Sequence, residues 1–270
     1  MRVRLIFALM MLSSALVLML AGAAASEAAP GNLRILIVRN VADPDLSNAL
    51  NGFPGVATAD TFDSSAGTPT AELLATYDLV AATGDSGAGY QDGALWGNRL
   101  ADFLDAGGAL IQFAYDNWDN PVAHPTGRFE SGGYPPFIPG PDDALPTSLG
   151  AILVPGSPLL AGVPNFDTEG NTTPTLAPGA TLLAKWADDR LAIATKGRVL
   201  SVGASPTTSQ GFNPMSAAAQ LAVNAGNVLH AQPATGQRSA ALKKCKKKNK
   251  KHHNKKKFKK CKKKAKLLPV

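Results

Sequence analysis

Polar side chains that could do chemistry follow two apolar segments of this 270-residue chain, where each segment ends. Asp78–Thr83 precedes Asp85 and Ser86, and Ala109–Ala114 precedes a longer group, Asp116, Trp118, Asp119, Asn120 and His124. If the segments are neighbouring parallel strands, these residues meet at the edge where α/β sheets bind ligands. Carboxylates beside an aromatic ring suit a sugar lying on Trp118, or a hard cation such as calcium bound through oxygen atoms.

The same residues have a simpler interpretation. Asp and Asn are common in loops because their side chains hydrogen-bond to the nearby backbone, so these acids could merely be solvated. His124 stands before Pro125 and is typical of a surface histidine rather than a base. We therefore predict no catalytic residue, no metal ligand and no cofactor, and we keep the seven residues as candidates for ligand binding.

The stretch Gly84–Gly89, "GDSGAG", contains the Gly-Asp-Ser-Gly of serine proteases. No histidine precedes Ser86, and Ala88 stands where a hydrolase elbow requires glycine. The spacing of the glycines in this stretch also differs from the G-x-G-x-x-G of dinucleotide-binding loops. This stretch is best explained as a loop at the carboxyl end of a strand.

Both cysteines, Cys245 and Cys261, lie near the carboxyl terminus, so a thiol cannot serve chemistry elsewhere in the chain. In an exported protein such a pair most simply forms one disulfide. The alternative is a metal site with His252 and His253, although the surrounding lysines repel cations and the spacing matches no zinc pattern.

The net charge of +7 combines two opposed parts. From Arg238 onward there are 16 Lys and one Arg without an acid, which gives +17. Residues 27–237 carry 8 basic and 20 acidic residues, which gives −12. The sequence therefore predicts an acidic globular part followed by a polycationic tail that is too charged to pack.

The amino terminus has the pattern of a secretory signal peptide. Arg2 and Arg4 precede the apolar run Leu5–Leu20, and the small residues "AGAAASEAAP" follow. An uncleaved anchor over Leu5–Ala25 is the alternative, since that run could almost span a bilayer. We predict a signal peptide at 1–26, a linker at 27–32, one α/β domain at 33–230 and a disordered polybasic tail at 231–270.

Apolar runs and helical stripes alternate through the predicted domain. Helices are predicted over "DPDLSNAL", after Thr70, over Leu95–Leu104 with a stop at Gly107, and after a cap at Asn213. Strands alternating with helices favour a mostly parallel sheet, and Pro121–Pro146 is predicted to be an irregular excursion. The predicted strands are Leu33–Arg39, Val56–Phe62, Asp78–Thr83, Ala109–Ala114, Ala151–Val154, Thr181–Trp186, Leu191–Thr195 and Arg198–Val202.

This order resembles the class I glutamine amidotransferase-like superfamily, in particular its ThuA-like branch. The resemblance rests on "YDLVAATGD", "LADFLDAGGALIQF", "SPLLAGV", "GRVLSVGASP" and "AAQLAVNAGNVL", and it covers roughly Leu33–Leu229. It implies a flavodoxin-like three-layer sandwich. Leu33–Arg39, Asp78–Thr83 and Ala109–Ala114 are expected at the centre of its sheet.

The resemblance also implies where a catalytic triad would lie. The family places a cysteine on the sharp turn after the strand that matches Ala109–Phe113, and His-Pro-Glu after a late strand. Here the turn reads Ala114-Tyr115, and Ser205-Pro206-Thr207 follows the late strand. Amidotransferase activity is therefore not expected.

These observations predict a secreted, non-catalytic domain that binds a carbohydrate or a cell-envelope component. Its tail would adhere to anionic wall polymers or lipid surfaces. Nucleic acid is a less favoured partner, because Phe258 alone interleaves the lysines. The alternative is a ThuA-like enzyme acting on a sugar, with Asp85, Asp116 or His124 as acid or base.

The N-glycosylation sequon "NTT" at Asn171 is expected in a loop.

Overall fold

The computed structural model describes residues 33–39, 44–84, 89–120, 122–143, 145–207, 211–230, 244–246 and 258–262. The strands are β1 Leu33–Arg39, β2 Val56–Asp63, β3 Leu79–Thr83, β4 Ala109–Gln112, β5 Phe137–Ile138, β6 Thr147–Ile152, β7 Asp167–Thr168, β8 Thr175–Leu176, β9 Thr181–Trp186, β10 Leu191–Lys196 and β11 Val199–Val202. The α-helices are α1 Asp45–Asn51, α2 Ala71–Leu74, α3 Gly93–Ala106, α4 Gly127–Ser131 and α5 Ser216–Ala225. A 3-10 turn spans Pro158–Leu160, and a π-helical turn, Gly226–His230, continues α5.

A nine-stranded sheet in the order β2-β1-β3-β4-β11-β10-β9-β6-β7 forms the middle layer. The strands from β2 to β11 are parallel, with β1, β3 and β4 at the centre of that part, as predicted. The strands from β10 to β7 extend the sheet in antiparallel fashion. β9 and β10 form an antiparallel hairpin around Asp188 and Asp189.

Both faces of the sheet are covered by helices, which gives the three layers. Ile35 and Ile37 of β1 point to the core that includes α1 and α5, whereas Leu36 and Val38 point to the core under α2 and α3. The parallel strands β1, β3, β4 and β11 are buried almost throughout, which explains their largely apolar sequences, whereas β2 at the edge of the sheet is mostly exposed or half-buried. The predicted three-layer α/β fold with its mostly parallel central sheet is therefore confirmed.

Two helix boundaries follow local signals that the sequence carries. The hydroxyl of Thr70 accepts from the backbone N–H of Leu73 at the start of α2. Gly107 ends α3 with φ 117°, a left-handed conformation that glycine adopts without strain.

Other predicted boundaries are wrong. Helix α5 begins at Ser216 rather than after a cap at Asn213, because the backbone of Asn213 exchanges two hydrogen bonds with Asp167. The strand predicted at Ala151–Val154 is β6, Thr147–Ile152. The excursion Pro121–Pro146 contains α4 and β5, which bury Phe129 and Phe137.

Asn171 of the sequon does not lie in an exposed loop. Its side chain is fully buried and donates to the carbonyl of Leu145 at 2.7 Å. It also accepts from the guanidinium of Arg190, which forms ion pairs with Asp143 and Asp188. A glycan could not be accommodated there in the folded domain.

Most of the predicted signal peptide, linker and tail lies outside the described residues. The tail is described at residues 244–246 and 258–262, where Cys245 and Cys261 form a disulfide with a Cα–Cα distance of 5.8 Å. None of the helices in the described ranges is long and apolar enough to cross a bilayer.

Gly97 allows α3 to lie against the segment that precedes α4. A Cβ at position 97 would stand 1.8 Å from the carbonyl oxygen of Thr126. Alanine normally stabilises a helix interior relative to glycine, but this clash should reverse the effect, and we expect Gly97→Ala to cost about 2 kcal/mol. Urea unfolding measures the change.

Gly52→Ala is the matched control for that substitution, because its Cβ would meet Asn48 at an ordinary 3.8 Å. We expect the control to change the free energy of unfolding by less than about 0.5 kcal/mol. Equal stability of the two variants would show that α3 does not require this close approach.

Candidate functional site

The loop after β4 forms the centre of the candidate site. The strand ends at Gln112, two residues before its predicted end, because the chain then turns back on itself. Tyr115 adopts φ 74°, a left-handed conformation that is unusual for a residue other than glycine. The backbone N–H of Asp116 donates to Phe113 at 3.2 Å and closes the turn. The sharp turn that the resemblance implied is therefore present, with Tyr115 at its apex.

Asp116 is fully enclosed by protein. It is 2% exposed, and its Oδ1 accepts from the backbone N–H of Gly84 at 2.8 Å and from the hydroxyl of Tyr90 at 2.6 Å. Its Oδ2 is buried without a hydrogen-bond partner in the described part of the chain. The interpretation of Asp116 as a solvated loop acid is therefore wrong.

Burial determines the charge state of this carboxyl. Desolvation raises the pKa of Asp116 to about 7, although the hydrogen bonds from Tyr90 and Gly84 and the side chain of Gln112 oppose the rise. Burial and the adjacent carboxyl also hold the pKa of Tyr90 well above its usual value. Tyr90 therefore keeps its proton at physiological pH, and Asp116 is the member of the pair that titrates near neutrality.

Close backbone contacts cover Asp116. A Cβ at Gly84 would lie 2.2 Å from the carbonyl oxygen of Ala123 and 3.2 Å from Oδ1 of Asp116. The N–H of Tyr90 donates to the carbonyl of Val122 at 2.7 Å. Glycine at position 84 is therefore required for the segment around Ala123 to close over the carboxyl.

The neighbouring Asn117 ties the loop to the next strand of the sheet. It is 1% exposed, and its amide reaches the carbonyls of Phe113 and of Val202, the last residue of β11, at 3.4 Å each. The backbone of Asn117 and of Asp119 exchanges hydrogen bonds with Gly140 at 3.0 and 2.9 Å. These bonds fix the loop in place.

The residues that follow reach the surface. Trp118 is half-buried, with its ring packed edge-on against Tyr115 at 6.3 Å between centroids. Asp119 is exposed and Asn120 is half-exposed. An aromatic ring, a carboxylate and an amide thus occupy three consecutive positions where this loop reaches the surface.

His124 is 7% exposed, so the prediction of a surface histidine is wrong. Its Nδ1 lies 2.9 Å from the carbonyl oxygen of Asn120. No hydrogen bond or ion pair joins it to Asp116 in the ranges that the structure describes. Asp85 and Ser86 lie outside those ranges.

Sequence reasoning missed the residues that hold Asp116. Gly84 follows a predicted strand and carries a weak signal, whereas nothing in the sequence marks Tyr90 as a partner of a residue 26 positions away. Within the described ranges, no three His, Cys, Asp or Glu residues are grouped as metal ligands would be.

Comparisons with known proteins add information on the fold. No protein-family model matches the chain, and no curated protein matches its sequence. The cytoplasmic protein STM3548 from Salmonella typhimurium is similar in structure, with a TM-score of 0.58 and 13% identity over 73% of this chain and 99% of that chain. The cytoplasmic protein STM1381 from Salmonella typhimurium LT2 gives a TM-score of 0.53 and 16% identity over 73% and 98%.

Solved structures that resemble the chain more distantly include a ThuA-like protein from Bacteroides uniformis. Its TM-score is 0.47, with 14% identity over 76% of this chain and 94% of that chain. At these identities, the comparisons show the fold that carries the site and nothing about its ligand.

Proposed function

We propose that this chain is a secreted binding protein, in which the loop after β4 binds a carbohydrate or another envelope component and the lysine-rich tail adheres to anionic polymers. The observation that carries the binding site is the surface formed by Trp118, Asp119 and Asn120 at the carboxyl edge of the sheet. The amino-terminal signal pattern supports export, and the +17 charge of the tail supports adhesion.

The chemistry of these three side chains fits a sugar. The ring of Trp118 offers an apolar face for the C–H groups of a pyranose, and its packing against Tyr115 restricts its motion. Asp119 can accept hydrogen bonds from hydroxyls. The amide NH2 of Asn120 can donate, whereas its Oδ1 already accepts from the backbone N–H of Val122 at 3.2 Å. Because the backbone bonds to Gly140 already order the loop, little conformational entropy is lost on binding.

Binding of soluble oligosaccharides and purified cell-wall polysaccharide by the full chain tests this site. We expect Trp118→Ala to weaken binding by roughly tenfold or more, because the stacking surface is lost. Leu95→Ala removes a comparably exposed apolar side chain from α3 and is the control, with unchanged binding expected. If no glycan binds the wild-type chain, or if both variants bind alike, the site is assigned wrongly.

A second candidate function is an enzyme that acts on a sugar with Asp116 as acid or base. The observation that favours it is the pKa of about 7 at Asp116, a value suited to proton transfer at neutral pH. Against it stands the enclosure of Asp116 beneath Tyr90 and Ala123, since a catalytic carboxyl must touch its substrate.

Incubation with a panel of glycosides distinguishes the two functions. We expect no release of reducing sugar by the wild-type chain. Turnover by the wild type that is lost in Asp116→Asn, with glycan binding preserved, would instead establish the enzyme.

A further inference from the structure

A groove of about 370 Å³ lies beside β6 and shares no residue with the candidate site. Leu149, Gly150 and Ile152 of β6 line it on one side. Leu160, the last residue of the 3-10 turn, lines it as well, together with Ala161 and Val163. The groove is thus mainly apolar, and a strand edge forms part of its wall.

That edge is open along the second half of β6. β7 pairs with β6 at Thr147 and Ser148, and the N–H of Leu149 donates to Phe166 at 2.9 Å. Beyond this point β6 has a neighbour on one side, β9, in the described part of the chain. Ile152 and the adjoining Leu153 are 42% and 45% exposed.

The composition of this edge is unusual for an exposed strand. Residues 147–157, "TSLGAILVPGS", contain no charged residue, although the acidic part of the chain carries 20 acids. Natural proteins usually place charges or a covering segment on strand edges, because an open apolar edge pairs with other chains. The edge and groove together therefore have the properties of a site for an added strand.

The charges beside the groove are negative. Asp167 and Glu169 follow the groove residue Asn165 and are exposed. Neither carboxylate has a hydrogen bond or an ion pair in the ranges that the structure describes. An apolar segment preceded by lysines would therefore complement both the groove and its surroundings.

We infer that the groove is occupied by Lys266–Val270 of this same chain, added as a short strand along β6. Leu267, Leu268 and Val270 supply the apolar side chains, and the lysines before them face the acidic side of the groove. No other part of the tail after Arg238 combines three large aliphatic residues with lysines.

The tail is long enough to reach the groove from the end of the domain. Cys245 lies 15 positions after His230, and Leu267 lies six positions after Cys261, to which Cys245 is joined by the disulfide. Fully extended, these would span up to roughly 70 Å. A domain of about 200 residues is roughly 45 Å across, so the tail is long enough for Leu267 to reach the groove.

Hydrogen exchange of the Gly150–Ile152 amides in the full chain tests this inference. We expect the double variant Leu267→Ser, Leu268→Ser to exchange at least tenfold faster there than the wild type. Lys250→Ser, Lys251→Ser is the matched control, because it alters the same tail away from the leucines and from the lysines that precede them, and its exchange should stay close to that of the wild type. A free peptide with the sequence of residues 262–270 should restore slow exchange in the leucine variant.

Equal exchange in the wild type and the leucine variant would overturn the inference. Protection that depends on protein concentration would also overturn it, because a second copy would then cover the edge. Circular dichroism of each variant is the check that its domain stays folded.

Discussion

The Asp116→Asn variant is expected to lose most of the pH dependence of stability that the wild type shows between about pH 4 and pH 7. Burial raises the pKa of Asp116 to about 7 in the folded chain. An unfolded aspartate titrates near 3.9. Between these two pKa values the folded state therefore binds more protons than the unfolded state. The contribution of Asp116 to the free energy of unfolding is fully present below pH 4 and is lost as pH rises through 7.

The expected size follows from the difference between the two pKa values. About three pKa units correspond to on the order of 4 kcal/mol between the two ends of the window. Asparagine is always neutral and matches the protonated carboxyl in shape. Its carbonyl can still accept from Gly84 and Tyr90. Its amide would take the place of Oδ2, which has no hydrogen-bond partner among the residues that the structure describes.

Urea unfolding of both proteins at pH 5 and pH 8 measures the effect. We expect the wild type to be clearly less stable at pH 8, and the variant to be the more stable of the two at that pH. Asp119→Asn on the same loop is the control, because its side chain is exposed, and it should leave the pH profile unchanged. A wild type with equal stability at both pH values would contradict the burial of an ionisable Asp116.

The fold could be predicted from the sequence because its signals are local. The segment "LRILIVR" is continuously apolar, as a buried strand requires, and the apolar residues from Leu95 to Leu104 have helical spacing. Gly107 predicts the end of that helix. Asn213 is a counterexample. Its sequence is typical of a helix cap, but its backbone instead pairs with that of Asp167. No local sequence pattern predicts this contact.

The candidate site could be located from the sequence, but its geometry could not. The ends of adjacent strands place Asp116 at the carboxyl edge of the sheet. Whether the carboxyl is solvated depends on Gly84, Tyr90 and Ala123, which come from separate segments. The burial of the Asp116 carboxyl, and the rise in its pKa that burial causes, therefore arise only when these separate segments pack together.

Neutralising the tail is expected to have the second large effect. Replacing the twelve lysines between Lys243 and Lys260 with glutamine lowers the tail charge from +17 to +5 and leaves residues 261–270 intact. Each lysine near an anionic membrane contributes roughly 1 kcal/mol. Loss of even a few such contacts should weaken binding to vesicles with anionic lipid by about 100-fold or more.

Vesicle sedimentation at increasing salt measures this binding. Binding of the wild type should fall steeply as salt rises, because exposed charges are screened within about 10 Å at 0.1 M. Replacing the same lysines with arginine keeps the charge and should preserve binding. The glutamine variant should melt at nearly the wild-type temperature. If it is instead clearly less stable at low salt, the tail lies on the acidic domain, with its charge of −12, rather than being available to external polyanions.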